Sequence, residues 1–398
     1  GTAGIAGRVQ PPDGNHLEES GGDGGMKWEI AKLGKIAIIR TGKLDSNAAV
    51  IGGRYPFFTC DPNTLSIDVW AYDTEAVLLA GNNASGNYTA KYYKGKFNAY
   101  QRTYIIESAD EEKLNIRYFC YALNQQLRLL KTMSSGSTTK FLTVRMLDNL
   151  DIPLPSINIQ TEIVNILSAY DDLIENNQKQ IKLLEEAAQR LYKEWFVDWR
   201  FPGHENTKIV DGVPEGWNEK TLSQVANVIM GQSPKSEFYN SEKKGLPFHQ
   251  GVGSYGVRFV MDDIYSTSYT RIAEPNSILF SVRAPVGRLN ITKNKVVIGR
   301  GLAAINQTDG CQSYLYYLLK NRFFKDNIVG NGSIFASVSK DELLNQKFLI
   351  PERNLMMQFE KIVSQMDKQI ENLDSKNKKL IEARDRLLPK LMSGEVEV

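Results

Sequence analysis

Cysteine is scarce: Cys60, Cys120 and Cys311 stand far apart without a CxxC pair, which excludes a disulfide framework and a cysteine zinc site and favours a reducing cytoplasm. Histidine is equally sparse. His16 lies in an N-terminal leader, and His204 and His249 lack the spacing of metal ligands, so both read as surface or packing histidines. No uncharged apolar run of the roughly 18 residues needed to span a bilayer is present, so no membrane association is expected. Charge of one sign is missing as well. Lys plus Arg total 48 against 46 for Asp plus Glu, a net charge of +2, which excludes a uniformly basic coat and leaves only local basic surface. Nucleotide and hydrolase motifs are absent: the Gly-Lys pairs at Gly34, Gly42 and Gly95 are followed by Ile, Leu and Phe, not by the Ser or Thr of a phosphate loop, and neither HExxH nor GxSxG occurs. No catalytic or metal-binding residue is assigned.

What is present is globular. The 398 residues are 42% apolar and 10% aromatic, enough for two to four domains at roughly 100 to 200 residues each. Residues 1–25, with Pro11-Pro12-Asp13-Gly14 and Gly21-Gly22-Asp23-Gly24-Gly25, lack the apolar stretch of a signal peptide and read as an added leader, with Met26 as the native start.

The rest of the chain is written twice. Trp28, Leu33, Ala37 and Gly42 recur 189 positions later as Trp217, Leu222, Ala226 and Gly231. Further on, at an offset of 196, Asp171, Ile174, Glu175, Asn176, Lys182, Leu184, Glu186, Ala187, Arg190 and Leu191 recur as Asp367, Ile370, Glu371, Asn372, Lys378, Leu380, Glu382, Ala383, Arg386 and Leu387. Each copy has a mixed region closed by Pro155 or Pro351 and then a long helical segment. The mixed regions predict α+β domains with irregular sheets, strands at 76–80 and 277–281, and helices at 116–131 and 312–325.

The helical segments carry a seam at four-three spacing, apolar except for a few polar positions: Ile163, Leu167, Tyr170, Ile174, Asn177, Ile181, Leu184, Ala188, Leu191 and Trp195, then Phe359, Val363, Met366, Ile370, Leu373, Asn377, Leu380, Arg384, Leu387 and Leu391. This is the pattern of a coiled-coil seam. Antiparallel pairing with Asn177 opposite Asn377 satisfies both amides and sets Trp195 on Phe359 and Tyr170 against Arg384; a buried amide left alone costs about 1 to 3 kcal/mol. The predicted rod of about 50 Å would carry the two mixed regions at opposite ends with pseudo-twofold symmetry. Pro389 is expected to end or kink the second helix. The alternative is that the seams pack on separate cores or on other subunits.

Two matching stretches depart from the global charge balance. Residues 81–102 hold Lys91, Lys94, Lys96 and Arg102 among Tyr88 and Tyr92 without an acid, and residues 283–300 hold Arg283, Arg288, Lys293, Lys295 and Arg300, again without one. Such patches suit phosphate neutralisation, with Arg able to grip guanine and Asn or Gln adenine. Asn82, Asn83, Gln101, Asn290, Gln250 and Ser254 lie in or near these loops as candidate base readers. Each could also be a solvated strand face whose lysines deter edge pairing.

The doubled Trp-x-x-x-x-Leu opening, the exits Ile152-Pro153-Leu154-Pro155 and Phe348-Leu349-Ile350-Pro351, the long helices and the junction Trp195-Phe196-Val197-Asp198-Trp199-Arg200-Phe201-Pro202-Gly203-His204-Glu205 together resemble the specificity subunit of type I restriction-modification systems, over residues 26–398. One departure is that the family often has a Glu-Gln pair at the helix start, where this chain reads Ile159-Gln160-Thr161-Glu162 and Leu355-Met356-Met357-Gln358. The resemblance implies target recognition domains at 26–155 and, after a linker, within 201–351, separated by spacer helices at 156–200 and 352–398. It implies that each domain reads one half of a bipartite site in double-stranded DNA, that the helices set the gap, and that the subunit has no chemistry or cofactor of its own. Two modification subunits would bring S-adenosylmethionine and adenine methylation, and two restriction subunits ATP and Mg. A self-contained DNA-modifying enzyme and a coiled-coil scaffold that binds no DNA are the alternatives; the former lacks its expected glycine and Asn-Pro-Pro-Tyr-like motifs.

Overall fold

Each copy of the repeat begins and ends on the same pair of strands. In a computed structural model describing residues 28–83, 86–133, 140–323 and 337–398, Ile30–Lys32 lies antiparallel to Asp151–Pro153, and Asn218–Thr221 to Lys347–Ile350. Residues 1–27, which include the expected leader and Met26, lie outside the described residues. The repeated leucines then enter one-turn helices, Leu33–Ile36 and Leu222–Val225. Both leucines are fully buried, and their amides donate to matching carbonyls, Leu150 O at 2.9 Å and Gln346 O at 2.8 Å. The repeated glycines have an equally local cause. A Cβ on Gly42 would stand 2.2 Å from Ala99 O, and one on Gly231 would stand 2.1 Å from Gly299 O, so only glycine allows that backbone approach.

The chain divides into two compact units: residues 1–174 with 378–398, and residues 175–377. Both are α+β. In the first unit a six-stranded sheet runs in the order Ala37–Thr41, Thr103–Ser108, Tyr72–Ala80, Ala90–Ala99, Tyr55–Phe58, Leu65–Ile67. Its apolar face packs against the helix Ile116–Met133 through Val77, Leu79, Ile106, Tyr118, Phe119 and Leu123. The second unit has a four-stranded sheet, Ala226–Met230, Leu302–Gln307, Ile278–Ser281, Leu289–Ile291, and a five-stranded one built from shorter strands between Tyr239 and Ile298. The helix Gln312–Phe323 covers the former. In both units the strand that ends just before the repeated glycine pairs with the last long strand, which pairs with the predicted strand at 76–80 or 277–281.

Two helices of 40 and 41 residues, Ile157–Phe196 and Arg353–Ser393, contribute to both units. In the first unit, Ile163 and Leu167 join one core with Leu388, Leu391 and Met392. In the second, Ile181, Ala188, Tyr192 and Trp195 share a core with Phe359, Val363, Ile370 and Leu373. There the Asn177 amide donates to Asn377 Oδ1 at 2.7 Å, both residues buried, and the Trp195 and Phe359 rings lie 6.0 Å apart. Two sequence expectations are corrected. Helix Arg353–Ser393 runs through Pro389 instead of stopping there; burial of Leu388, Leu391 and Met392 around it outweighs one missing donor so near the terminus. Arg384 pairs with Asp171 at 2.7 Å and also with Asp385, not with Tyr170, because a carboxylate offers guanidinium a charge-assisted bond that a phenol does not.

Candidate nucleic-acid interface

The acid-free stretches of sequence are not acid-free in space. In the first unit Lys94 faces Glu75 across the strand pair and closes an ion pair of 2.8 Å. Tyr92 donates to the same carboxylate at 2.9 Å, and burial together with Glu75 pushes its hydroxyl up to about 12. Lys91, half-buried and lowered from the usual lysine range by desolvation, donates to Asp61 O and to Thr64 Oγ1 at 3.2 Å. Lys96 stacks on Trp70 at 4.6 Å, and Gln101 donates to Asp45 at 2.8 Å. Tyr88 is buried.

Asn82 and Asn83 form a short strand against Lys140 and Phe141. Asn82 Oδ1 accepts from the Cys60 thiol at 2.7 Å, and Asn83 Oδ1 accepts from Asn87 N. Arg102 sits at the neighbouring turn, where its carbonyl accepts from Gly81 N at 2.8 Å. Its side chain is exposed and has no intramolecular partner among the described residues.

In the second unit the basic stretch divides between inward and outward side chains. Lys293 turns to the long helix Arg353–Ser393, 2.7 Å from Asp374, and Lys295 pairs with Glu274 at 3.1 Å. Arg283, Arg288 and Arg300 are exposed. Arg300 is held between Gly299 and Gly301 with its amide on Ser233 Oγ, and Gln250, also exposed, is tied to this turn because its carbonyl accepts from Gly301 N at 3.1 Å. Ser254 lies close by in sequence, bonded to Nδ1 of the buried His249, whose Nε2 meets Asp262 at 3.1 Å. His249 thus fastens the turn carrying Gln250 and Ser254, in keeping with a packing histidine. A cleft of about 440 Å³ is lined by Tyr255, Arg288, Asn290, Tyr316 and Lys320 among others.

The structure therefore brings Gln250 and Arg300 together at adjoining turns of the second unit, and Asn82 beside Arg102 in the first. Lys91, Lys94, Lys96, Gln101, Lys293 and Lys295 are engaged within the protein. Sequence reasoning missed the residues that fasten the sheets to the helices. Gln160, in the segment departing from the family's Glu-Gln pair, is buried; its amide donates to Lys113 O and Pro155 O and accepts from Asn115 N. Glu360 accepts from Ser313 N and Tyr314 N at the start of helix Gln312–Phe323. Arg258, 2% exposed, pairs with Glu185 and Asp367; only the duplication of Asp171 as Asp367 hinted at that site.

Among the described residues, no cluster of three or more His, Cys, Asp or Glu side chains suits a metal ion, and no helix is long and apolar enough to cross a membrane.

The family model for the type I restriction modification DNA specificity domain matches twice, over residues 26–186 and 214–383. The chain is 31% identical over 226 residues to the EcoDI type I restriction enzyme specificity subunit of Escherichia coli, covering 51% of this chain and 50% of that one. It is 29% identical over 297 residues to the MjaIX specificity subunit of Methanocaldococcus jannaschii, covering 71% and 68%. Its fold is similar to the crystal structure of a type I restriction-modification S subunit from M. genitalium, with a TM-score of 0.60 and 19% identity, covering 94% and 98% of the two chains.

Proposed function

We propose that this chain, which belongs to the type I restriction modification DNA specificity domain family, is the DNA-recognition subunit of a type I restriction-modification complex. Each unit reads one half of a bipartite site in duplex DNA, and because the units differ in sequence and in their sheets the half-sites differ too. The observation that carries this reading is the doubled family match, one over each copy of the repeat. The exposed Arg102 in one unit, and Arg283 and Arg300 in the other, suit backbone or guanine contacts.

The two long helices pair antiparallel and set the number of unspecified base pairs between the half-sites. Three contacts support this, each internal to one unit: Trp195 with Phe359, Asn177 with Asn377, and Asp171 with Arg384. Numbers fall along one helix as they rise along the other, the signature of antiparallel pairing. The subunit supplies no chemistry and holds no cofactor. Modification subunits bring S-adenosylmethionine and methylate adenine, restriction subunits bring ATP and Mg, and the complex works in the cytoplasm on extruded bases.

Methylation mapping of DNA from cells carrying the complete system tests the reading: a split, asymmetric methylated motif is expected, and its absence refutes it. Deleting one heptad from both helices shortens them by about 10 Å and should reduce the accepted gap by about three base pairs; an unchanged gap refutes the ruler.

A further inference from the structure

Arg258 is 2% exposed and belongs to the sheet of the second unit: its carbonyl accepts from Ile291 N at 3.0 Å, and the next residue, Phe259, bridges to Ile291. Its guanidinium lies 3.7 Å from the centre of the Tyr316 ring and reaches both long helices, 2.6 Å from Asp367 and 3.4 Å from Glu185. Lys293 leaves the same sheet edge, just past strand Leu289–Ile291. Its ammonium stands 4.4 Å from the Phe259 ring centre, 2.7 Å from Asp374 and 2.9 Å from Ser375 Oγ.

The acids that receive these cations follow the heptad. Asp367 and Asp374 each directly follow a seam residue, Met366 and Leu373, and Glu185 follows Leu184. Asp367 and Asp374 thus lie on one stripe of their helix, about 10 Å apart. A single ion pair leaves a domain free to swivel about it; two attachments at that separation also fix a direction. The planar guanidinium of Arg258 can hold two carboxylates and stack on a ring at once, which a lysine cannot.

We propose that Arg258 and Lys293 are positioning residues for specificity: together they fix the angle of the second unit's sheet on the long helices and so decide which spacing between half-sites is accepted. This rests on the DNA-recognition role above, and it gives Lys293 a different task from the phosphate contact that its basic sequence context indicates. Neither side chain can reach DNA without abandoning its carboxylate.

The test uses the assembled methyltransferase complex and a duplex library carrying the two wild-type half-sites at every gap length within a few base pairs of the native one. The variants are Lys293→Met and a neutralised set, Arg258→Met with Glu185→Gln and Asp367→Asn, which strands no buried charge. The half-site sequences should stay as in wild type, while preference for the native gap over gaps one base pair longer or shorter falls about tenfold, equivalent to roughly 1.4 kcal/mol. The exchanged pair, Lys293→Asp with Asp374→Lys, should recover the native preference.

An unchanged gap preference with weaker binding and a salt slope reduced by about one would make Lys293 a phosphate contact and overturn the proposal. An unchanged preference with only a lower unfolding temperature would make both residues props of the fold, which also overturns it. Should the neutralised set fail to fold, the exchanged pair at Lys293 decides the matter alone. A wild-type complex with no bipartite site overturns the DNA-recognition reading itself, whereas a bipartite wild-type site with unaltered variants overturns this inference only.

Discussion

The Asn177–Asn377 bond makes a prediction that separates register from stability. Both amides are buried beside the apolar seam residues Ile181, Ile370 and Leu373, and the bond between them is 2.7 Å long. Replacing Asn177 with Leu removes the buried donor to Asn377 Oδ1, a cost of about 1 to 3 kcal/mol. In a unit of roughly 200 residues each kcal/mol lowers the midpoint by about 2 to 4 °C, so a loss of about 2 kcal/mol corresponds to about 4 to 8 °C. Asn377→Leu should cost a similar amount. The double variant should not cost the sum. It swaps two polar groups for apolar ones in a core that already holds Ile181, Ile370 and Leu373, and should recover or exceed wild-type stability while losing the group that forbids a slip of one heptad. Thermal unfolding of the four proteins gives the coupling energy, expected at about 0.5 to 3 kcal/mol, and methylation mapping of the double variant gives the register, expected as a second accepted gap. Strictly additive losses would refute the reasoning, because they would mean that the two amides do not depend on one another.

Two further outcomes are expected. Arg102→Ala should weaken recognition of one half-site and Arg300→Ala the other, which selection of bound sequences would show; equal loss at both halves with a shallower salt dependence would reduce each to a general phosphate contact. Burial raises the Glu360 carboxyl above the ordinary glutamate range, against the pull of the Ser313 and Tyr314 amides, so the folded chain holds this proton more tightly than the unfolded one. Its contribution to stability is therefore greatest below the ordinary carboxylate range and is lost as pH rises through the raised value. Wild type should lose ground to Glu360→Gln across that window in urea midpoints; parallel curves would refute the assignment.

The parts of this molecule governed by periodicity were legible in the sequence. Four-three spacing marked both helices, and the requirement that a buried amide find a partner singled out Asn177 with Asn377. The doubled Leu33 and Gly42 announced two copies of one framework. What was not legible depends on neighbours brought in by folding. Counting charge along residues 81–102 could not reveal Glu75, because the antiparallel partner of Lys94 comes from a strand earlier in the chain. Lys293 looks the same in sequence whether it faces solvent or Asp374. Arg258 carries no periodic signal at all, since its burial is set by Tyr316, Tyr317 and two helices remote from it. Pro389 misled because the rule against proline in helices describes the backbone donor and not the apolar packing around the turn that lacks it.

The strand that opens each copy is zipped to the strand that closes it, Ile30 opposite Pro153 and Asn218 opposite Ile350. Everything between those endpoints therefore leaves and returns through one doorway, with the exit to the long helix fixed whatever lies inside. A foreign stretch of chain grafted between the same two strands would inherit its attachment ready-made, and new sequence preferences could be installed in either half while the frame that carries them stays untouched.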